Sequence, residues 1–197
     1  MQKILVIATF NPHKVDEIRS ILPGLPLGLK ALAEFPGSAP AEEDGATLEA
    51  NARKKALAAA RFTGHPALAD DTGLEVDALG GAPGVFSARY SGADATPAAN
   101  NARLLAELAG VPPAARTARF ACVVALASPD GRTSVSRGTL EGRIAQAPRG
   151  GNGFGYDPLF ELPGSGLTLA EVSEGEKNGL SHRALALRGL LPELRKL

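Results

Sequence analysis

The sequence predicts an α/β fold, and three observations carry that prediction. An apolar run, Lys3 to Ala8, leads into Asn11-Pro12 and a helically spaced apolar stripe. A long Ala-rich helical pattern from Thr47 to about Phe62 precedes a second apolar run, Ala67-Leu68-Ala69. Thr117 to Ala127 and Thr133 to Arg143 then read as paired strands about the turn Pro129-Asp130-Gly131. At 197 residues the chain is expected to form a single domain over residues 1–197, or one domain with a lobe inserted. An apolar fraction of 44% is enough for a sizeable core. Basic and acidic residues balance at 21 each, which disfavours a polynucleotide or an anionic membrane as main partner and leaves room for a local anion site.

Taken in order, Lys3 to Ala8 reads as a buried strand. Asn11 caps the helix that follows, with Pro12 at its first position; Val15, Ile18, Ile21 and Leu22 form its apolar stripe, and Pro23-Gly24 ends it. The junction at Thr9, Asn11 and Lys14 suits either a plain helix cap or a phosphate site, since free backbone N–H groups and a lysine meet there. It is not a Walker A loop. Leu25 to Asp44 reads as irregular, closed by Glu42, Glu43 and Asp44. Thr47 starts the Ala-rich helix and Gly64 stops it. Asn51 and Lys55 share one face of that helix, although Arg53 and Lys54 beside Lys55 also fit a solvated face.

Ala67 to Ala69 then delivers two adjacent carboxylates, Asp70 and Asp71. Thr72-Gly73 is expected to turn the chain before a second apolar segment, Leu74 to Leu79, and a glycine/proline loop leads to Ser87, Arg89 and Tyr90. Thr96 or Asp94 caps a helix from about Pro97 to Leu108, ended by Gly110. Cys122, the only cysteine, lies in the apolar run Phe120 to Leu126 and reads as core. Arg149 to Pro158 is glycine-rich but lacks the following helix of a dinucleotide fingerprint; its aromatics, Phe154 and Tyr156, suit either ligand binding or packing over a core. Ser173-x-x-Glu176 is a capping box. Ser181 is expected to cap the last helix, with Leu185, Leu187, Leu190, Leu191 and Leu194 on its apolar side. His182 and Arg183 fall in its first turn, where cations oppose the helix dipole, so an anionic or accepting partner is expected there.

Adjacent carboxylates after an apolar strand bind a cation, cap a helix or sit in a solvated turn, because burying them unpaired is costly. Three histidines, at 13, 65 and 182, lack metal-ligand spacing, which argues against zinc. There is no Gly-x-Ser-x-Gly, and Ser181-His182 is not a triad. Oxygen donors (Glu42 or Glu43, Asp70, Asp71) suit Mg²⁺, and cations at 14, 55, 177 and 183 would neutralise phosphate charge. An aromatic loop can hold a nucleobase. Together these features read as a Mg²⁺-dependent nucleotide hydrolase. The N-terminal apolar run is too short for a signal peptide, and no stretch approaches the roughly 18 apolar residues of a membrane span; a soluble, cytoplasmic chain is expected.

Five motifs also resemble one family along essentially the whole chain: TFNPHKVDEI (9–18), EEDGATLEANARKKA (42–56), ALADDTGLEVDALGGAPGVFSARYSG (67–92), GNGFGYDPLF (151–160) and SEGEKNGLSHRALAL (173–187). The chain resembles the inosine triphosphate pyrophosphatases, which hydrolyse non-standard purine triphosphates (ITP, dITP and XTP) to the monophosphate plus pyrophosphate. Phe10, where many members carry glycine, and Thr72, where many carry serine, are departures; the second keeps the hydroxyl. The resemblance implies an elongated central mixed sheet flanked by helices in two lobes, with the active-site cleft between them, and a homodimer. It implies Mg²⁺, one or more ions per subunit, on Glu43 and Asp71. Asp71 would be the proton acceptor for the attacking water, supported by Asp70, with Lys14 and Lys55 completing the catalytic set. Thr9, Phe10, Asn11, Pro12, His13 and Lys14 would hold phosphate and Thr72 would touch substrate. Phe154 would stack on the base, with Gly155, Tyr156 and Asp157 lining its pocket and Lys177, His182 and Arg183 reading its edge. A related, Maf-like pyrophosphatase acting on modified pyrimidine nucleotides is the alternative enzyme, and a nucleotide-sensing module without turnover is the alternative from another class.

Overall fold

The computed structural model describes residues 2–197. Strand β1 (Lys3–Ile7) feeds helix α1 (Pro12–Ile21), and β2 (Leu27–Ala31) follows. Helix α2 (Leu48–Thr63) leads to β3 (Ala67–Val76), the two-residue β4 (Pro83–Gly84) and helix α3 (Pro97–Glu107). The long strands β5 (Thr117–Ala127) and β6 (Thr133–Ile144) precede the short β7 (Phe160–Glu161), and helices α4 (Glu174–Leu180), α5 (His182–Gly189) and α6 (Leu191–Leu194) close the chain. The strands form one mixed sheet in the order β2-β1-β3-β5-β6-β7, with β4 paired to β3. β1 runs parallel to both β2 and β3, with Lys3 opposite Leu27 and Val6 opposite Ala67. β4 and β7 are antiparallel to β3 and β6.

The sequence punctuation explains most boundaries. Asn11 accepts a bond from the His13 amide at 3.0 Å, and Pro12 opens α1 at the position where a missing N–H costs nothing. Thr47 and Thr96 cap α2 and α3 through the amides of Ala50 and Ala99, so Thr96 rather than Asp94 is the α3 cap. Gly64 ends α2 in the left-handed conformation that favours glycine. Ser173 and Glu176 form the expected capping box.

Three expectations are corrected. Leu27 to Ala31, read as irregular, is a strand; it pairs along its whole length with β1, which overrides its weak Leu-Gly-Leu-Lys-Ala pattern. Thr72-Gly73 does not turn the chain: β3 runs straight through it. The last helix is two, α5 and α6, divided ahead of Pro192, and Leu185 is 42% exposed instead of joining the apolar side.

The chain forms two compact units that interleave in sequence. Unit 1 holds Met1–Asp71, Cys122–Gly138 and His182–Leu197; unit 2 holds Thr72–Ala121 and Thr139–Ser181. In unit 1 the strands are covered on both faces, because alternate residues enter different clusters. Leu5 and Ile7 of β1, with Cys122, Val124 and Leu126 of β5, pack against Val15 and Ile18 of α1 and Leu187 of α5. Val6, Val123 and Ala125 face the opposite way, onto Ala52, Ala56, Ala59 and Ala60 of α2. Those alanines recur at the helical spacing, and their small size lets the helix lie close. Cys122 is buried as part of the core. Unit 2 has its own core, in which Leu74, Leu104, Leu108, Phe120, Ile144, Leu159 and Phe160 are prominent. No helix among the described residues is long and apolar enough to cross a membrane.

Candidate active site

The carboxylate pair sits in unit 1 at the end of its stretch of β3. Successive residues of a strand face opposite sides, so the two neighbours part company. Asp70 turns towards α1 and α5. Its Oδ2 lies 2.9 Å from Lys14 Nζ and accepts from Arg183 Nη2 at 3.0 Å and Nε at 3.2 Å. Arg183 also donates through Nη1 to Glu17, one turn after Lys14 on α1. Asp70, Glu17 and Arg183 are all buried. Burial alone would raise the Asp70 pKa, but Lys14, Arg183 and Lys55 outweigh it and hold the carboxyl well below the usual range. Burial opposes the charge on Arg183 as well, and Asp70, with Cys122 and Glu17 behind it, keeps that guanidinium protonated. The depth of α5 is set by Gly138 in β6: a Cβ there would fall 2.1 Å from the His182 carbonyl oxygen and 2.5 Å from the Ala186 amide.

Asp71 turns towards α2. Its Oδ1 accepts from Lys55 Nζ at 2.9 Å, and the same ammonium donates to Glu43 Oε1 at 2.8 Å. Asn51, one turn earlier on that helix face, donates to Asp71 Oδ2 at 3.2 Å and accepts from the Gly45 amide at 2.8 Å. The loop approaches so closely that a Cβ on Gly45 would lie 2.5 Å from Asn51 Oδ1. Burial raises the Asp71 pKa; Lys55 opposes the rise and Glu43 adds to it. Lys55 meets burial with three carboxylates, Asp70, Asp71 and Glu43, and stays charged. Lys55 is therefore no solvated helix residue, whereas Lys54 beside it pairs with Asp44 and faces Glu42, whose side chain is 80% exposed. Between the two candidate glutamates, Glu43 is the one that shares Lys55 with Asp71.

Unit 2 carries a different arrangement around residues 152–157. Gly153 and Gly155 adopt positive φ and frame Phe154. Asp157 Oδ2 accepts from the Phe154 amide at 2.8 Å and from Lys177 Nζ at 2.7 Å; a Cβ on Gly153 would lie 2.1 Å from it. Lys177 is buried, and its Nζ stands 4.7 Å from the centroid of the Phe154 ring. Tyr156 is buried in the unit 2 core and donates its hydroxyl to the Ser87 carbonyl at 2.9 Å.

The sequence-predicted residues thus fall into two groups. Lys14, Glu43, Lys55, Asp70, Asp71 and Arg183 meet in unit 1; Phe154, Asp157 and Lys177 meet in unit 2. At the strand–helix junction Thr9 Oγ1 accepts from the Asn11 amide at 3.2 Å, while Phe10 is 41% exposed and His13 exposed. Thr72 follows Asp71 half-buried in β3, and His182 is buried at the start of α5. The anionic partner expected for the α5 first turn is the protein itself. Arg183, assigned by the resemblance to a base edge, has its guanidinium on Asp70 and Glu17, and Tyr156, assigned to the pocket, has its hydroxyl on Ser87. Sequence reasoning missed Glu17, which reads as an ordinary polar helix residue, and the bridging role of Asn51. The only signal for either was its position one turn from a lysine on the same helix face.

Buried carboxylates set among lysines on a mixed sheet covered by helices mark the unit 1 cluster of this α/β protein as its candidate active site. The chain belongs to the Ham1 family, whose model matches residues 5–193. It is 55% identical over 93% of its length to a dITP/XTP pyrophosphatase of Geobacter sulfurreducens, covering 92% of that protein. It is 51% identical over 98% of its length to a dITP/XTP pyrophosphatase of Desulforamulus reducens, covering 96% of it. Among solved structures, a HAM1 protein from Coxiella burnetii superposes with a TM-score of 0.88 at 41% identity over 100% of both chains. The Staphylococcus aureus Ham1 protein does so with 0.87 at 39% identity, over 98% of this chain and 99% of that one.

Proposed function

We propose that this chain hydrolyses non-standard purine nucleoside triphosphates, ITP, dITP and XTP, to the monophosphate and pyrophosphate, and so keeps deaminated purines out of nucleic acids. The observation that carries this reading is the division of labour between Asp70 and Asp71. Asp70 is locked in its ionised form by Lys14 and Arg183 and is a poor proton acceptor. Asp71 is made more basic by burial and is the better one. The activity of the curated relatives supplies the substrate class.

In the proposed reaction Asp71 accepts a proton from water as the water oxygen bonds to the α-phosphorus. The bond from that phosphorus to its bridging oxygen breaks, and pyrophosphate leaves with the bond electrons. Lys14 and Lys55 offset the charge that develops on phosphate oxygens, and the positive end of the α1 dipole favours an anion beside it. Glu43 and Asp71 present oxygen donors to one shared neighbour, a set that fits Mg²⁺; among the described residues no three His, Cys, Asp or Glu side chains converge as a larger cluster. Glu43 and Asp71 would hold the ion, which when bound supplies further charge neutralisation to the phosphates.

Phe154 supplies a face for the purine. Lys177 and the loop amides supply donors, which suit the C6 oxygen of hypoxanthine and xanthine and leave the adenine amino group unpaired. Tyr156 and Arg183 then act as supports, one for the loop and one for Asp70. A cytoplasmic homodimer is the assembly that the family resemblance favours.

The test is a panel of ITP, XTP, ATP, dUTP and TTP with the purified protein, with and without Mg²⁺. Release of pyrophosphate from ITP and XTP, with ATP spared, is expected. Orthophosphate as first product, or preference for dUTP or TTP, overturns the reading.

A further inference from the structure

We infer that Asn101 is a positioning residue for base recognition: from helix α3 it fixes the tip of the loop that carries Phe154. The inference rests on the reading of Phe154 as the purine's stacking partner and goes beyond it by naming what holds that partner in place. The loop is tied on one flank to residues 170–172, through the amides of Gly151 and Asn152 to the Ala170 carbonyl and through Asn152 Nδ2 to the Val172 carbonyl at 3.0 Å. Its tip is bracketed by two glycines, Gly153 at φ +73° and Gly155 at φ +64°, and so lacks the stiffness that side chains give. Asn101 meets the tip itself, with Nδ2 donating to the Gly155 carbonyl at 3.0 Å.

The helix that carries Asn101 is braced by the residue before it. Asn100 accepts from the Ser91 amide at 2.7 Å and donates to the carbonyls of Ala88 at 3.2 Å and Ser87 at 3.3 Å. Ser87 accepts from the Leu74 amide at 2.8 Å, donates to the Gly84 carbonyl at 2.6 Å, and accepts the Tyr156 hydroxyl on its own carbonyl. Tyr90 donates to Glu107, and Arg103 lies over the Tyr90 ring, 4.4 Å from its centroid, while donating to the Tyr90 carbonyl. Ser87 to Tyr90 therefore locks α3 to β3 and to the root of the loop, and Asn101 carries that fixed position to the tip. Core stability does not account for Asn101: among the described residues its Oδ1 is buried without a hydrogen-bond partner, a cost accepted while its amide holds one loop carbonyl.

Asn101→Ala and the isosteric Asn101→Asp, which turns an acceptor towards the Gly155 carbonyl, test this in the full-length protein. The expected result is a rise of roughly three- to tenfold in KM for ITP, the loss of about one hydrogen bond, with kcat within about twofold of wild type. Inhibition by tripolyphosphate, which has no base, should not change. In a Phe154→Ala background the Asn101→Ala effect should shrink, because both changes act on one loop. Amide hydrogen exchange should speed up at residues 153–157 and stay constant in β5 and β6. An unchanged KM, an equal loss of tripolyphosphate inhibition, or unchanged exchange at 153–157 overturns the inference. Wild-type KM in Phe154→Ala alone would discard the stacking reading, while the exchange measurement on Asn101→Ala would still decide the positioning claim.

Discussion

The two units are built around different forces. Unit 1 gathers full charges, with Asp70, Asp71, Glu43 and Glu17 interleaved with Lys14, Lys55 and Arg183. Unit 2 works mainly with neutral donors and acceptors, those of Ser87, Asn100, Asn101 and Tyr156, around one buried ion pair, Asp157–Lys177. The contrast matches the proposed substrate. A polyphosphate must be met with opposing charge and a proton acceptor, whereas one purine is told from another by a few hydrogen bonds and a stacking surface. Charge fixed inside a protein is costly unless every partner is present, so the stability of unit 1 should fall most abruptly when its deepest charge set, Asp70, Glu17 and Arg183, loses a member. Neutral bonds are worth less each, so unit 2 should fail by degrees.

Ways to break that contrast run from large effects to small. Asp70→Asn leaves Arg183 with Glu17 as its one carboxylate partner among the described residues and removes the partner of Lys14, and should cost up to about 3–5 kcal/mol at neutral pH, the usual cost of breaking a buried pair. Because the folded Asp70 pKa lies below its ordinary value of 3.8, its contribution is fully present above about pH 4 and is lost as pH falls towards the folded value. The Tm difference between wild type and Asp70→Asn should therefore be widest above pH 5 and narrow as pH drops below 4; a difference that widens in acid would contradict the locked carboxylate. Asp71→Asn should fold with a Tm close to wild type and lose at least about a hundredfold in kcat, and near-normal turnover would remove it as the proton acceptor. Phe154→Ala should weaken ITP binding by roughly 1–3 kcal/mol with smaller loss of kcat, checked by KM for ITP against XTP. Lys54→Ala should leave kcat and Tm at wild-type values while Lys55→Ala lowers kcat; an equal effect of the two would mean that α2 contributes only a charged face.

Much of this was legible in local punctuation. The caps at Asn11, Thr47, Thr96 and Ser173 each need only a few neighbouring residues, and each is found in the structure. β2 was not legible, because Leu27 to Ala31 becomes a strand only by pairing with β1. The resemblance implied two lobes, but their bounds were not legible: the division cuts within the runs of β3, β5 and β6, after Asp71, Ala121 and Gly138, where no linker composition marks it. At the candidate site the carboxylates and lysines stood out by type, but their pairing did not. Arg183 and Glu17 are 166 residues apart in the chain, and no spacing rule reaches that far. Ser87 to Tyr90 had no role that sequence could supply, since its contacts come from β3, α3 and the Phe154 loop together.

Gly138 has no polar side chain and lies far from Asp70 in the chain, yet it decides where Arg183 can be. Any larger residue there would collide with the His182 carbonyl and the Ala186 amide and push α5 outward, carrying the guanidinium off its two carboxylates. In a survey of random substitutions scored for activity, this strand position should stand out as sharply as the acidic pair itself. The intolerance would record a distance between two backbones, and nobody searching for reactive groups would have marked it.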